Sequence, residues 1–212
     1  MSEKKNGDLG WDDIKVTYSS NMSNYASDAA KLSADEDAVR LWYVEIMRLE
    51  WDDDDMGPPT ERRIGHATVV SLDLARGLNT GLDWFELLDG ESADISSAAQ
   101  HLFEGSYLRD EVNDHLEPDE PLWTVLLLDH IVLDEQERSK GLGPQVARHI
   151  IRRLGSDGST LVAAYPQPDG WHDMDAETYA EAKAKVERAW AAVGFTHFED
   201  GHWLMTYDAR HL

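Results

Sequence analysis

The chain of 212 residues contains no cysteine. Disulfides, thiolate metal sites and a cysteine nucleophile are therefore excluded. Basic residues are also scarce, since 19 Lys and Arg stand against 42 Asp and Glu, which gives a formal net charge of −23. No apolar run approaches the length of a membrane span, and the opening stretch MSEKKNGDLGWDD lacks the apolar core of a signal peptide. These absences predict a cytoplasmic protein with no membrane partner.

The acidic balance bears on the choice of partner. A strongly negative field repels the phosphates of nucleic acids and attracts cations. We therefore predict no nucleic-acid partner and favour a cationic acceptor such as an amine, a polyamine or a basic peptide. Solubility or an acidic proteome accounts for the same charge without any ligand. The histidines show no metal-ligand spacing, so no metal site is predicted.

The length favours one domain. We expect a flexible tail over residues 1–13 and a single domain over residues 14–212. The aromatic and β-branched stretches 38–51 and 62–74 are typical of strands, and together they predict a hairpin. The Asp52–Asp55 run at its tip offers a cation site, although like-charge runs more often form solvated loops. IKVTY predicts a short first strand, and the stretch 81–116 predicts helical pieces.

Periodicity in the second half is clearer. The apolar stretches predict strands over 121–133 and 159–165. Helical spacing predicts a helix that begins at Pro144 and another over 175–194, whose buried stripe includes Tyr179, Ala182, Val186, Ala189, Trp190 and Val193. Asp200-Gly201 predicts the turn of a closing hairpin.

The loop DEQERSKGLGPQ, residues 134–145, joins the apolar strand to the next helix. A glycine-containing loop at a helix start suits an anion, because the first N–H groups lack helical partners and carry the positive end of the helix dipole. Gly141 and Gly143 let the backbone approach a ligand, and Arg138 and Lys140 add positive charge. A charged capping turn without a ligand explains the same residues. Neither GxxxxGK[ST] nor GxGxxG is present.

IVLDEQERSKGLG, residues 131–143, resembles the acyl-CoA-binding motif of the GNAT superfamily of N-acetyltransferases, and AWAAVGF, residues 189–195, resembles the segment before that family's final hairpin. The resemblance implies an α/β fold, with a twisted mixed sheet flanked by helices on both faces. Residues 14–120 would form the acceptor-side half and 121–208 the acetyl-CoA half. It also implies direct acetyl transfer from acetyl-CoA to a primary amine of a cationic small molecule or basic peptide, without a metal. A homodimer remains open.

The resemblance further assigns the binding residues. The strands 121–133 and 159–165 would splay apart, and the pantetheine arm would pair with the backbone of Ile131, Val132 and Leu133. The N–H of Leu133 would donate to the thioester oxygen. The pyrophosphate would lie on the backbone of the loop residues Arg138, Ser139, Lys140, Gly141, Leu142 and Gly143. Pro144 supplies no amide, which removes one donor from this cradle.

The catalytic residues depart from the family pattern. Trp190 stands where many members carry a tyrosine that acts as the acid, and tryptophan cannot donate a proton at neutral pH. Asp129 shares parity with Ile131, so we predict it as the general base that faces the cleft, or else as the structural partner of a nearby arginine. His130 would then point away and serve a structural role. Tyr165 and Tyr179 are the phenols available for the acid role, and Tyr165 is predicted to replace the missing tyrosine.

Two other functions compete with acetyl transfer. The Trp190 replacement favours a protein that binds acyl-CoA as a sensor or scaffold without turnover. The net charge favours an acidic interaction protein that blocks a basic partner. The glycine loop argues against this last alternative, because such a protein has no need of an anion cradle.

Overall fold

The computed structural model describes residues 11–22, 38–52, 57–155 and 159–208. Its strands are β1 Ile14–Met22, β2 Val39–Glu50, β3 Thr60–Asp73, β4 Phe103–Glu104, β5 Tyr107–Leu108, β6 Thr124–Leu133, β7 Thr160–Ala164, β8 Thr196–His197 and β9 Trp203–Tyr207. Its α-helices are α1 Leu74–Thr80, α2 Trp84–Leu88, α3 Ala93–Leu102, α4 Asp110–Leu116, α5 Leu142–Leu154 and α6 Ala176–Val193. Most of the predicted tail and Asp53–Asp55 of the acidic tip lie outside the described residues. None of the described helices combines the length and apolar character needed to cross a membrane.

One sheet of seven strands organises the fold, in the order β1-β2-β3-β6-β7-β9-β8. The β1–β2, β2–β3 and β3–β6 pairs are antiparallel, as are β7–β9 and β8–β9, whereas β6 and β7 run parallel. The predicted hairpin of 38–51 and 62–74 is confirmed as β2–β3. The mixed sheet is confirmed as well.

Helices cover both faces of this sheet. Ile95, Ala99 and Leu102 of α3 join the apolar cluster on one face. Val146 and Ile150 of α5 join the cluster on the other face. Side chains alternate between the two faces along a strand, which explains why β6 contributes Leu127 to one cluster and Leu126 to the other. Full burial of a large apolar side chain contributes about 1.5–3 kcal/mol.

Two β-bulges interrupt this alternation. Ile46 faces Gly65 whereas Met47 faces Arg63, so Ile64 is an extra residue in β3. Thr68 faces His130 whereas Val69 faces Leu128, so Asp129 is an extra residue in β6. A bulge breaks the two-residue period of the strand that contains it. Simple alternation therefore assigns the wrong face beyond such a residue, as it does for Asp129 relative to Ile131.

The two long helices follow the sequence signals with two corrections. Helix α5 begins at Leu142, two residues before the predicted start, and Pro144 lies in its first turn, where a missing N–H costs no helical bond. Asp175 caps α6, since its carboxylate accepts from the N–H groups of Glu177 and Thr178. The predicted stripe of α6 is only half-buried, and its members Trp190 and Val193 pack against the apolar cluster that includes α5.

The closing hairpin turns at Asp200 and Gly201, both with positive φ, as predicted. His202 follows the turn and is 1% exposed. Its Nε2 lies 3.1 Å from Ser97 Oγ, and its ring centroid lies 4.5 Å from that of His101. Burial first, and then His101, lower the pKa of His202 to about 4, although the Asp200 carboxylate acts in the opposite direction. The neutral imidazole is therefore the folded form.

Replacing Gly65 with alanine is expected to destabilise the protein by about 2 kcal/mol, the range seen for overpacking. The added Cβ would lie 2.9 Å from Leu133 Cδ2 and closer still to the carbonyl oxygen of Val132. Urea unfolding measures the loss. Gly90→Ala is the control, since a Cβ there meets nothing within 4 Å. Equal stability of both variants would contradict the close β3–β6 contact.

The free energy of unfolding is expected to fall as the pH is lowered from 6.5 to 4. In this range the unfolded chain binds a proton at His202, whereas the folded chain does not. The difference between the unfolded and folded pKa of His202 corresponds to a loss of about 3 kcal/mol in the free energy of unfolding over this range. The pKa of His149 is also lowered by burial, and by Arg152 and Arg153, so it contributes in the same direction.

Urea titrations from pH 4 to 7 check this dependence in wild type and in His202→Gln. The variant is expected to lose most of the slope, whereas His115→Gln, at an exposed position, retains it. An unchanged slope in His202→Gln would refute the assignment to His202.

Candidate functional site

A gap opens where β6 and β7 part. Their parallel pairing runs from Thr124–Thr160 to Leu128–Ala164 and stops there. Strand β6 continues to Leu133 and pairs with β3 along its other edge. The last residues of β6 therefore have an edge that β7 does not cover, and the splaying of the two strands stays a prediction.

The phase of the β3–β6 ladder determines which backbone groups face this gap. The N–H of Asp134 donates to the carbonyl of Ile64 at 2.8 Å. Asp134 and Ile64 thus form a hydrogen-bonded pair. Because hydrogen-bonded and non-hydrogen-bonded pairs alternate along an antiparallel ladder, the Gly65–Leu133 and Ala67–Ile131 pairs are non-hydrogen-bonded. The N–H and C=O groups of Ile131 and Leu133 therefore point away from β3. The carbonyl of Leu133 accepts from Arg138 Nε at 2.8 Å, which agrees with this phase.

The N-terminus of α5 lies beyond the same end of β6. Gly141 occupies its N-cap position with φ 75° and makes no side-chain cap to the helix. A Cβ at Gly141 would meet nothing within 4 Å, so the backbone there is open to an approaching group. The amides of Leu142 and Gly143 belong to the first turn, where helical N–H groups lack intrahelical acceptors. The loop has the features of an anion cradle.

Cationic side chains surround this helix start. Lys185 reaches across from α6, and its Nζ lies 2.7 Å from Ser139 Oγ. Arg138 and Lys140 flank the loop on the strand side, and their side chains are 44% and 39% exposed. These cations provide a local positive field within a chain of net charge −23.

A buried carboxylate anchors the loop. Glu137 is 3% exposed and pairs with Arg48 of β2, with Arg62 of β3 at 3.2 Å and with Lys140 at 3.1 Å. Burial alone raises the pKa of Glu137, but hydrogen bonds from Lys140 and Arg62 and the charge of Arg48 outweigh burial, and the pKa is lowered. This cluster was not predicted from the sequence. The one signal was Arg48 itself, a cation within an apolar strand.

A small cleft lies at the fork between β6 and β7, on the side of α3. It is lined by Asp94, Ile95, Ala98, Leu127, Leu128, Asp129, Ala163, Ala164 and Tyr165. Two of the side chains that we predicted as catalytic, Asp129 and Tyr165, thus line one cleft at the closed end of the gap. Their catalytic roles stay predictions.

The bulge changes the surroundings of Asp129. Its Oδ1 accepts from Ser92 Oγ at 2.7 Å, and its Oδ2 lies 3.2 Å from His130 Nδ1. Ile131 and Leu133 contact the opposite cluster, under α5. The expectation that Asp129 shares their face and that His130 points away is therefore wrong, because the extra residue shifts the alternation.

The electrostatics of this pair are coupled. Burial raises the pKa of Asp129, but hydrogen bonds with His130 and Ser92 outweigh burial and lower it. The Asp129 carboxylate raises the pKa of His130, burial lowers it, and the charges of Asp94 and Asp169 raise it further, so the net shift is upward. Asp129 is held ionised, and no arginine pairs with it among the described residues.

Trp190 plays a packing role. It lies in the cluster under α5 and α6, with its ring edge-to-face against Phe195 at 4.9 Å between centroids. It does not line the cleft. Tyr179, a second phenol on α6, donates to Gln167 Oε1 at 2.9 Å. The cleft therefore has Tyr165 as its phenol.

Over the described ranges, no group of three or more His, Asp or Glu side chains is arranged to hold a metal ion. The site instead combines an open strand edge, an uncapped helix start, flanking cations and a carboxylate–imidazole pair. Such a set can hold an extended ligand that ends in an anionic group, and it can exchange a proton at the cleft.

Neither a protein-family model nor a curated protein matches the chain. Three solved structures are similar to it over most of its length. A KacTA–DNA complex is 9% identical and covers 93% of this chain and 95% of its own, with a TM-score of 0.37. A tyrosine-to-phenylalanine mutant of KacT is 11% identical, with coverages of 92% and 96% and a TM-score of 0.37. AtaTR bound with AcCoA is 11% identical, with coverages of 94% and 96% and the same TM-score.

One of these similar structures corrects a prediction. We excluded nucleic acid on the basis of net charge and expected a small-molecule or peptide acceptor. That prediction is wrong, because one of the similar structures is a complex with DNA. The physical reason is that net charge describes the distant field, whereas a partner meets local groups such as Arg138, Lys140 and Lys185. A charge summed over the chain does not set the class of partner.

Proposed function

We propose that the chain is an N-acetyltransferase of the GNAT type, which uses acetyl-CoA and transfers the acetyl group directly to a primary amine. The open edge of β6, which points at the uncapped start of α5, is the observation that carries this proposal. An extended arm can pair with the edge as an added strand, while its anionic end rests on the helix amides. The R-x-x-G-x-G loop lies at their junction.

The residues present fit this co-substrate. The backbone groups of Ile131 and Leu133 supply donors and acceptors for the pantetheine amides. The amides of Gly141, Leu142 and Gly143 would hold the pyrophosphate, and Ser139 lies beside them with positive φ. Val132 turns its backbone to β3, so its contribution is limited to its side chain. The N–H of Ile131 lies two residues nearer the cleft than that of Leu133, and both are candidates for the thioester oxygen.

The amino group of the acceptor would lie at the cleft, with the rest of the acceptor outside it. Acetyl-CoA supplies an activated acyl group there, and the protein supplies position and proton exchange. Asp94 and Asp129 line this cleft and attract an ammonium group. Tyr165 lies across the fork from Asp129, where its hydroxyl can donate a proton. The chain has no cysteine, which agrees with a direct transfer.

Calorimetric titration with acetyl-CoA and with CoA tests the first half of the proposal, with a dissociation constant expected in the micromolar range. Release of CoA in the presence of an amine panel tests the second half. A thiol reagent can follow this release without background, because the protein has no thiol of its own. Binding without turnover would leave an acyl-CoA-binding protein, the role that Trp190 favours. No binding by folded protein would refute both.

Gly141→Asp is expected to weaken CoA binding about tenfold or more, because a carboxylate at the helix start repels the pyrophosphate. Gly141→Asn is the matched control, since asparagine has the same shape without the charge. Both residues tolerate the left-handed φ of 75° at this position, and neither meets a neighbour. Calorimetry compares the two. Equal losses in both variants would show that backbone strain, rather than charge, controls affinity.

Asp169→Asn is expected to strengthen CoA binding up to about fivefold, the scale of an exposed ion pair. Asp169 Oδ2 lies 2.6 Å from Arg138 Nη2, and the same guanidinium donates to the Leu133 carbonyl that an incoming arm would use. Loss of the carboxylate frees Arg138 to leave that carbonyl. Asp173→Asn removes the same charge from the same segment without touching this pair, and it controls for net charge. An equal gain in CoA affinity in Asp169→Asn and Asp173→Asn would contradict the role of the Asp169–Arg138 ion pair.

A further inference from the structure

The bulge at Asp129 places two consecutive polar side chains against each other. In a regular strand, residues 129 and 130 would point to opposite faces of the sheet. Here His130 Nδ1 lies 3.2 Å from Asp129 Oδ2. The His130 ring also lies edge-on to His66 of β3, at 6.0 Å between centroids. The pair therefore lies on the side of the sheet that carries α3 and the cleft.

The contacts of Asp129 suit it to orient the His130 imidazole rather than to accept a proton. Its side chain is 6% exposed, and its two oxygens are engaged by Ser92 and by His130. A carboxylate held in this way stays ionised, as its lowered pKa indicates. Each of its two oxygens already has a partner within the protein. The same engagement fixes the tautomer of the imidazole, because Nδ1 must carry the proton that faces Oδ2.

The exposure of His130 suits its Nε2 to exchange a proton. Its side chain is 49% exposed, and its Nε2 has no hydrogen-bond partner among the described residues. With Nδ1 protonated and held by Asp129, the free lone pair of the imidazole is on Nε2. His130 is exposed next to Asp129, which lines the cleft. The groups that face the ring are Asp129 on its own strand, His66 on β3, Asp94 on α3 and Asp169 in the segment after β7. The three carboxylates also favour a cationic ligand at this place.

We propose that His130 is the general base of the proposed transfer, with Nε2 accepting the proton of the acceptor ammonium, and that Asp129 is its positioning residue. This inference rests on the proposed function. One N–H bond of the ammonium breaks, its electron pair stays on nitrogen as the nucleophilic lone pair, and the proton forms an N–H bond at Nε2. The proton-accepting role thus moves from Asp129, as the sequence alone predicted, to its neighbour.

The pH dependence follows from the geometry. Only neutral His130 can accept the proton, so activity rises with pH through the pKa of His130. The Asp129 carboxylate holds this pKa above its ordinary value. Removal of that charge in Asp129→Asn lowers the pKa and moves the rise in activity to lower pH. A purely structural role for Asp129 would reduce activity without such a displacement.

The test combines two measurements on the full chain. Proton NMR follows the ring of His130 from pH 5 to 9 in wild type and in Asp129→Asn, without any ligand. Steady-state kinetics of CoA release gives the pH profile of kcat for wild type, Asp129→Asn, His130→Gln and His66→Gln, with the best amine of the panel. His66→Gln is the matched control, a neighbouring imidazole on the same face that makes no contact with Asp129.

We expect the NMR titration of His130 and the acidic limb of kcat to coincide in wild type and to move together to lower pH in Asp129→Asn. His130→Gln should lose the limb and about 10²–10⁴-fold in kcat, with the KM for acetyl-CoA unchanged. His66→Gln should keep both. A limb that persists in His130→Gln, or a His130 titration that ignores Asp129→Asn, overturns this inference alone. A wild type that binds no acetyl-CoA, or turns over no amine, overturns the proposed function and this inference with it.

Discussion

Backbone hydrogen bonding is the constraint on which the site depends. Every buried N–H and C=O group needs a partner, and within a sheet the partner is the neighbouring strand. Strand β6 satisfies this rule on one edge along its length, through β3, but β7 leaves its other edge after Leu128. The outward N–H and C=O groups of Ile131 and Leu133 therefore need a hydrogen-bond partner from outside the sheet. Arg138 meets part of this requirement by donating to the carbonyl of Leu133.

The two β-bulges adapt the sheet to this task in neighbouring strand pairs, one in β2–β3 and one in β3–β6. The extra residue at Ile64 lies opposite the end of β6, where the chain enters the loop. The extra residue at Asp129 lies at the fork, where it turns a carboxylate and an imidazole to the same face. Between them, Gly65 lets β3 approach Leu133 closely enough to keep the open edge in place. The sheet thus combines regular pairing with one local departure on β3 and another on β6, both near the site.

Hydrophobic periodicity was sufficient to predict the main strands, the helices α5 and α6 and the final turn, because each has a continuous apolar stripe or a turn dipeptide. It was also sufficient to place the loop at a helix start. A bulge is a single extra residue, which leaves composition and apolar pattern unchanged, so Ile64 and Asp129 gave no signal. The same limitation led to the wrong orientation of His130.

Long-range polar contacts could not be predicted from one sequence either. Glu137 and Arg48 are 89 residues apart and meet only after three strands have paired. The small β4–β5 hairpin was missed because two-residue strands carry no period. The kind of acceptor was beyond prediction because it depends on local groups around the cleft, and the summed charge gave the wrong exclusion.

The buried Glu137 cluster limits which substitutions the protein can accept at these positions. Loss of one member leaves an uncompensated charge in a dry environment, which costs several kcal/mol in comparable buried pairs. Replacement of Glu137 and Arg48 together by apolar residues of similar volume removes that penalty. Arg62 and Lys140 are more exposed and tolerate single changes more readily. Substitution at Glu137 is therefore tied to substitution at Arg48, and the two positions are expected to vary in concert while their neighbours vary alone.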